Sequence, residues 1–244
     1  MTTTLPTLSA RRSALFLDFD GTLADLASRP DAVQVPDDLP PLLDALHQRL
    51  DGALAIVTGR ARDDLRRWLP AQRWPGAFEH GAVRVAGDGR LRLADTPELQ
   101  ALADLAQDFV SRHHGLVLER KQTSLSLHYR LNPALGPACL DLLTQALNGR
   151  DDLQLMHGKA VVEVKSAQVG KGYAIAAFMS EAPFAGRRPC FAGDDVTDED
   201  GFAAVHALQG ETIKVGDGPT RAQHRCANPQ ALRAWLRHAL ETCT

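Results

Sequence analysis

Two grammars of apolar spacing alternate along the chain. Residues 14–19 and 53–58 are short continuous apolar runs, the pattern of parallel strands buried on both faces. Between them, Leu39, Leu42, Leu43, Leu46 and Leu50 recur at helical spacing over residues 37–50. Pro40 and Pro41 fall in that helix's first turn, where the missing N–H has no helical partner to lose. A short helix over 63–69 follows. Strand, helix, strand, helix predicts a parallel sheet with crossover helices. The spacing then changes. Residues 83–85 and 91–93 flank Gly87-Asp88-Gly89, a hairpin turn signal, and 98–114 reads as an amphipathic helix. Residues 116–119 and 125–129 read as strands, the second alternating Leu125, Leu127 and Tyr129 against Ser126 and His128. A helix over 137–147 and a strand pair at 153–156 and 161–164 complete an antiparallel α+β pattern. Parallel grammar resumes with helices over 171–180, 199–208 and 229–240 and strands over 189–192 and 212–215. Residues 1–12 read as a loose arm.

The expected fold class is therefore α/β. A doubly wound, Rossmann-like parallel core, residues 13–81 plus 167–244, is interrupted by an inserted α+β cap, residues 82–166. Ligands of such sheets bind at the carboxyl ends of the strands, and an inserted module can close over that edge as a lid.

Composition narrows the classes. The 244 residues allow one large domain or a domain with a second module. Thirty acidic against 27 basic residues, net −3, give no electrostatic footprint for DNA or RNA, so no nucleic-acid partner is expected. No apolar run approaches the roughly 20 residues of a membrane span, and the apolar stretch after Arg11 and Arg12 is cut by Asp18. Cys139, Cys190, Cys226 and Cys243 are scattered without metal-type or redox-type spacing and read as reduced thiols in a cytoplasmic protein.

The strand ends carry the chemistry. Asp18-Phe19-Asp20-Gly21-Thr22 closes the first strand, and carboxylates two residues apart project the same way from an extended chain. Gly21 allows a sharp turn and a close approach to a ligand. Taken alone, the segment is equally a strand cap with turn chemistry. The strand over 189–192 ends in Gly193-Asp194-Asp195-Val196-Thr197-Asp198, where Thr197 or Asp198 also suits the N-cap of the next helix. In a parallel sheet both acidic ends share one edge, and so many carboxylates stay ionised together only around a cation; Mg²⁺ suits them. Thr58-Gly59-Arg60, at the second strand end, offers a hydroxyl and backbone N–H groups. Gly170-Lys171-Gly172 opens a helix whose lysine can reach a phosphate; it is not a P-loop. A carboxylate nucleophile, a cation, a lysine and a second carboxylate for proton transfer are the parts of metal-assisted phosphomonoester hydrolysis.

Asp18-Phe19-Asp20-Gly21-Thr22, Thr58, Lys171 and Gly193-Asp194-Asp195, in this order, resemble the four motifs of the haloacid dehalogenase-like phosphatase superfamily. The insertion between the second and third motifs is that of its C2-capped members. More narrowly, LDFDGTLADL, IVTGR, EHGA at 79–82, LHYR at 127–130, GKAVVEVK at 158–165 and FAGDDVTDEDGF resemble the bacterial trehalose-6-phosphate phosphatases. The resemblance implies that Asp18 is the nucleophile and, through its side chain, a Mg²⁺ ligand. It makes Asp20 the general acid and base, with its backbone carbonyl a ligand, and Asp194 the third protein ligand. Asp195 and Asp198 support the metal, its water or Lys171, and Thr58 holds the phosphoryl group. Gly21, Gly59, Arg60 and His80 are expected to contact substrate from the core. Glu119, Lys121, Arg130, Lys159 and Glu163 are expected near the sugar from the cap. Ser166, where relatives often carry a proline, and Gly170, before the lysine, depart from the pattern at the cap hinge.

Three functions follow as expectations. The first is Mg²⁺-dependent hydrolysis of trehalose 6-phosphate through an aspartyl-phosphate, the last step of trehalose biosynthesis, with association with the matching synthase as a further expectation. The second is a capped phosphatase for another sugar phosphate such as sucrose 6-phosphate. The third is a non-catalytic module that binds the synthase or senses sugar phosphate. That module would ordinarily lack the nucleophile or the lysine, and Asp18, Asp20, Lys171 and Asp194 are all present.

Overall fold

A computed structural model describes residues 4–26, 33–69, 74–94, 98–120, 124–158 and 160–243. The chain divides into two compact units, Met1–Leu93 with Gly170–Thr244, and Ala94–Val169.

The first unit is built on β1 (Ser13–Leu17), whose five residues are all buried. It carries α1 (Leu39–Arg49), β2 (Leu54–Val57), the single turn α2 (Arg62–Leu65), β3 (Gly76–Phe78), β4 (Val83–Val85) and β5 (Leu91–Leu93). After the second unit come α5 (Lys171–Met179), β10 (Arg188–Gly193), α6 (Asp198–Ala207), β11 (Glu211–Val215), β12 (His224–Cys226) and α7 (Pro229–Thr242). Among the described residues these strands form one sheet in the order β12-β11-β10-β1-β2-β3-β4-β5. Pairing is parallel from β12 to β3 and antiparallel from β3 to β5. Apolar runs such as Leu54–Val57 suit strands covered on both faces, and helix pairs α1 with α7 and α5 with α6 pack together around them. The chain leaves β1 toward β2 on one side and returns to β10 on the other. The β1/β10 boundary is therefore the switch point, where such sheets open a crevice at their carboxyl edge.

Two expectations change here. The hairpin β4–β5, assigned by its antiparallel pattern to the insertion beginning at 82, hydrogen-bonds to β3 and extends the core sheet. An antiparallel pair can finish the edge of a parallel sheet, so the second unit starts at Ala94 and runs to Val169. Nor is the described part of the first twelve residues a loose arm. Leu8 is buried in the core, and the Pro6 carbonyl accepts from Trp235 Nε1 at 3.1 Å.

The second unit holds α3 (Gln100–Arg112), β6 (Val117–Arg120), β7 (Ser124–His128), α4 (Gly136–Ala146), β8 (Leu153–Gly158) and β9 (Val161–Ser166). Its antiparallel sheet runs β6-β7-β9-β8. Leu125, Leu127, Val162 and Val164 pack with Leu102, Ala106, Cys139 and Leu143 of the two helices. Alternation then puts Glu119, Ser126, Glu163 and Met156, which stand opposite one another in register, in one row on the other face.

All four cysteines are buried and unbridged. Among the described residues no helix is long and apolar enough to cross a membrane.

Arg187 fixes the turn before β10. Its Nε donates to the Pro183 carbonyl at 2.8 Å, and Nη1 lies 2.8, 2.9 and 3.3 Å from the carbonyls of Ala10, Leu50 and Ser13. Truncation would strip this donor from the part-buried Pro183 and Ala10 carbonyls, while the Leu50 carbonyl would keep the Ala53 N–H. Arg187→Ala is expected to lower stability to urea by about 2–4 kcal/mol without changing turnover, as unfolding curves and a rate assay would show.

Candidate active site

Asp18 follows the last residue of β1, and its N–H donates to the Ala192 carbonyl of β10 at 3.0 Å. Its side chain is therefore held at the switch point. Lys171, at the first position of α5, is only 3% exposed. Its Nζ lies 2.7 Å from Asp18 Oδ1 and 2.7 Å from Asp198 Oδ1. Asp198, fully buried, turns its other oxygen back toward the loop before α6, where Oδ2 accepts from the N–H groups of Asp194 and Asp195 at 2.9 Å each. Thr197, the N-cap of α6, makes no side-chain capping bond; the carboxylate of Asp198 satisfies the preceding loop instead.

Thr22 Oγ1 stands 3.1 Å from Asp18 Oδ2 and 3.1 Å from Asp194 Oδ1, so its one proton bridges the two acidic strand ends. Gly21 has φ +74°, and a Cβ there would fall 2.1 Å from Asp194 Oδ2. That position thus demands glycine twice over. Thr58 is buried, and its hydroxyl accepts from the Arg60 N–H at 3.1 Å, which leaves the hydroxyl proton to donate. The His80 ring packs so closely on Gly59 that a Cβ would come within 2.5 Å of it. His80 itself has φ 58°, a left-handed backbone imposed beside the site.

A cavity of about 390 Å³ opens on part of this set, with Gly21, Thr22 and Asp198 outside its lining. It brings together Asp18, Asp20, Thr58, Gly59, Arg60, His80, Lys171, Asp194 and Asp195, with Leu26 and Thr197. Arg60 is turned onto Asp20: Nε and Nη2 donate to its two oxygens, each at 2.6 Å. Glu119, Arg130 and Glu163 lie in the second unit, with Glu119 Oε2 accepting from His128 Nε2 at 3.0 Å and Arg130 exposed beyond β7. The expectations at Lys121 and Lys159 lie outside the described residues.

With this geometry in place, the chain can be set beside known proteins. Residues 16–230 match the family model described as trehalose-phosphatase. The chain belongs to the trehalose-phosphatase family. It is 40% identical over 236 residues to the trehalose-6-phosphate phosphatase of Escherichia coli (strain K12), covering 96% of this chain and 88% of that protein. It is 35% identical over 239 residues to the bifunctional trehalose-6-phosphate synthase/phosphatase of Thermoproteus tenax, covering 93% of this chain and 32% of that longer protein. The crystal structure of Aspergillus fumigatus trehalose-6-phosphate phosphatase superposes with a TM-score of 0.81 at 26% identity, covering 96% of this chain and 94% of that one.

The electrostatics of the cluster are dominated by burial. Desolvation pushes the Asp18 carboxyl up to about 6 against the pull of Lys171, and Asp194 adds to the rise. Asp198 also rises to about 6, by burial and by Asp18, again against Lys171. Burial raises Asp194 too, opposed by the Thr22 hydroxyl. For Lys171, burial disfavours the ammonium, but Asp18 and Asp198 outweigh it and hold the group charged, well above its ordinary value. Carboxylate oxygens of Asp18, Asp194 and Asp198 lie within 4.8 Å of one another. A set of hard oxygen donors carrying more negative charge than Lys171 neutralises fits a hard divalent cation such as Mg²⁺.

Three contributors escaped the sequence. Lys214, buried at the end of β11, donates through Nζ to the Asp194 carbonyl. A lone lysine in a buried apolar strand was its available signal. Asp200 Oδ2 accepts from the Gly172 N–H at 2.9 Å and so tethers the turn that carries Lys171. Glu199 holds the Thr220 hydroxyl at 2.6 Å and the Arg221 N–H at 3.0 Å.

The raised carboxyls give the cluster a signed pH dependence. Folded-state values above the ordinary 3.8 mean that the folded chain binds these protons more tightly than the unfolded one. The associated stability is full below 3.8 and is lost as pH rises through about 6. Without metal, Tm is expected to fall across that window, and Asp18→Asn to flatten the fall. At neutral pH, added Mg²⁺ should raise the parent's Tm, about 2–4 °C for each kcal/mol of binding in a chain of this size. The Asp18→Asn response should be much smaller. Differential scanning fluorimetry in EDTA and in Mg²⁺ reads both, and an unresponsive parent would rule out a metal site here.

Proposed function

We propose that this chain hydrolyses trehalose 6-phosphate to trehalose and inorganic phosphate through an aspartyl-phosphate on Asp18. The observation that carries the mechanism is the buried Asp18 carboxylate held 2.7 Å from the Lys171 ammonium at the sheet's switch point. The family and the 40% identical relative support the substrate.

Asp18 Oδ attacks phosphorus, forming a P–O bond to the carboxylate as the bond from phosphorus to the sugar 6-oxygen breaks. The leaving oxygen is an alkoxide and requires a proton, which Asp20 delivers from its carboxylic acid form, becoming the carboxylate. Asp20 then takes a proton from the water that attacks phosphorus, the bond to Asp18 breaks, and phosphate leaves. Lys171 offsets charge on the phosphoryl oxygens, and the Thr58 hydroxyl donates to one of them. Asp18, Asp194 and the Asp20 carbonyl would hold Mg²⁺, which would supply charge neutralisation at the transferring group. Asp198 positions Lys171, and Asp195 flanks the cavity on the same loop.

Recognition of the sugar is assigned to the second unit. Glu163 and Glu119 share one row with Ser126 on the sheet face opposite the helices. Carboxylates there can accept from sugar hydroxyls, and unpaired buried polar groups discriminate against a wrong substrate. Arg130, Lys121 and Lys159 complete the expected polar set. Association with a trehalose-6-phosphate synthase is supported by the fused relative from T. tenax. A reducing cytoplasm suits four free thiols.

Two measurements test this reading. Phosphate release from trehalose 6-phosphate should vanish in EDTA, return with Mg²⁺, and fall by at least ~10³-fold in Asp18→Asn. Near-parent turnover in that variant would remove Asp18 as nucleophile. Glu163→Ala should lower kcat/KM for trehalose 6-phosphate by at least ~10-fold while leaving p-nitrophenyl phosphate hydrolysis unchanged. Equal losses on both substrates would deny the second unit its part in sugar recognition.

A further inference from the structure

Asp20 is held by a side chain that is itself held. Arg60 presents Nε and Nη2 to the two Asp20 oxygens at 2.6 Å each, a planar fork on a planar carboxylate. The guanidinium lies 4.5 Å from the centre of the Trp68 ring and 5.8 Å from that of Phe19. Trp68 is fixed in turn: its Nε1 donates to the Val33 carbonyl at 3.0 Å, and its ring leans on Phe19 at 6.0 Å. The Arg60 side chain is 12% exposed and the Asp20 side chain 31%. Arg60 lies two residues before α2 and Trp68 three residues after it, so this one turn returns the indole beneath the guanidinium.

An aspartate at the mouth of a cavity turns freely about its last torsion, which is broad and roughly two-fold. Proton delivery to an alkoxide needs the carboxyl within about 2.6–3.2 Å of the leaving oxygen. The fork sets the carboxylate plane and leaves each oxygen a further lone-pair site. Arg60 has a long, flexible stem, and the aromatic face restricts it to the pose that makes the fork. We infer that Trp68 is a positioning residue for the reaction, acting through Arg60 to hold the Asp20 carboxylate in line with the leaving oxygen. The inference rests on the acid–base reading of Asp20 given above.

The test uses the difference between leaving groups. The trehalose oxygen needs a proton as it departs, whereas p-nitrophenolate leaves as a stable anion. The first turnover of p-nitrophenyl phosphate, read as the burst of p-nitrophenolate, therefore bypasses Asp20; later turnovers do not, because hydrolysis of the aspartyl-phosphate requires it. With the full chain in Mg²⁺, Trp68→Leu is expected to lower kcat for trehalose 6-phosphate about tenfold, with KM and the burst rate within about twofold of the parent. Trp68→Phe, which keeps an aromatic face, should recover most of the loss. In an Asp20→Asn background Trp68→Leu should cost nothing further. Arg60→Lys keeps the charge but loses the fork, should lower kcat for trehalose 6-phosphate by a similar factor, and carries the test if Trp68→Leu does not fold.

Parent kcat in a folded Trp68→Leu would overturn the inference, and so would parent kcat in Arg60→Lys, which would leave the indole nothing to act through. An equal loss in the burst, or a full additional loss in the Asp20→Asn background, would also overturn it by assigning Trp68 a general structural role. If Asp20→Asn alone keeps its turnover on trehalose 6-phosphate, the acid–base reading fails and this inference with it. If Asp20→Asn is inactive while the Trp68 and Arg60 variants match the parent, only this inference fails.

Discussion

One buried ammonium sets the terms for the core. Lys171 lies between Asp18 and Asp198, each 2.7 Å away, with almost no water to share its charge. Removing the lysine would leave two buried carboxylates with no counter-charge where burial is most costly. The lysine can occupy that place because the chain, after its excursion through the second unit, re-enters the core at Gly170 and starts α5 at once. The aspartates reach it because β1 and β10 are neighbours that end on the same edge. Sheet order, the start of α5 and the acidic loop before α6 are therefore one arrangement seen from three sides.

Much of this was legible in the sequence because buried parallel strands announce themselves. Ser13–Leu17 and Leu54–Val57 read as continuous apolar runs, and the acids after β1 and β10 stand where the backbone leaves the sheet. β3 and β12 were not legible. Each is three residues long, too short to carry a period, and exists because a neighbouring strand offers a ladder. The hairpin β4–β5 was read by its grammar and misplaced by it, since antiparallel pairing does not say which sheet is being extended. The pairing of Asp20 with Arg60, forty positions apart, has no local signature at all, and a lone lysine in a buried strand points to Lys214 without naming its partner, the Asp194 carbonyl.

The two units divide polar groups in opposite ways. In the first, charge is gathered at one edge of a sheet whose faces are apolar, so few groups face one another at short range and their protonation is coupled. In the second, polar residues are spread across a sheet face: Glu119, Ser126 and Glu163 sit on adjacent strands, and alternation keeps Leu125, Leu127 and Val164 beneath them. An edge concentrates charge, whereas a face spaces out hydrogen-bonding groups along neighbouring strands.

The first turn of α6 has a consequence for anyone who would move this chemistry to another scaffold. Asp198, Glu199 and Asp200 are consecutive, and each fastens a different segment: Lys171 with the 194–195 loop, the Thr220–Arg221 turn, and the Gly172 N–H. A graft of the acidic loop alone would leave behind Lys171, the Gly172 N–H and the Thr220–Arg221 turn. The smallest transplantable piece therefore includes the start of α5, all of β10 and the loop, α6, and the chain through Arg221, and its host must already supply a strand shaped like β1.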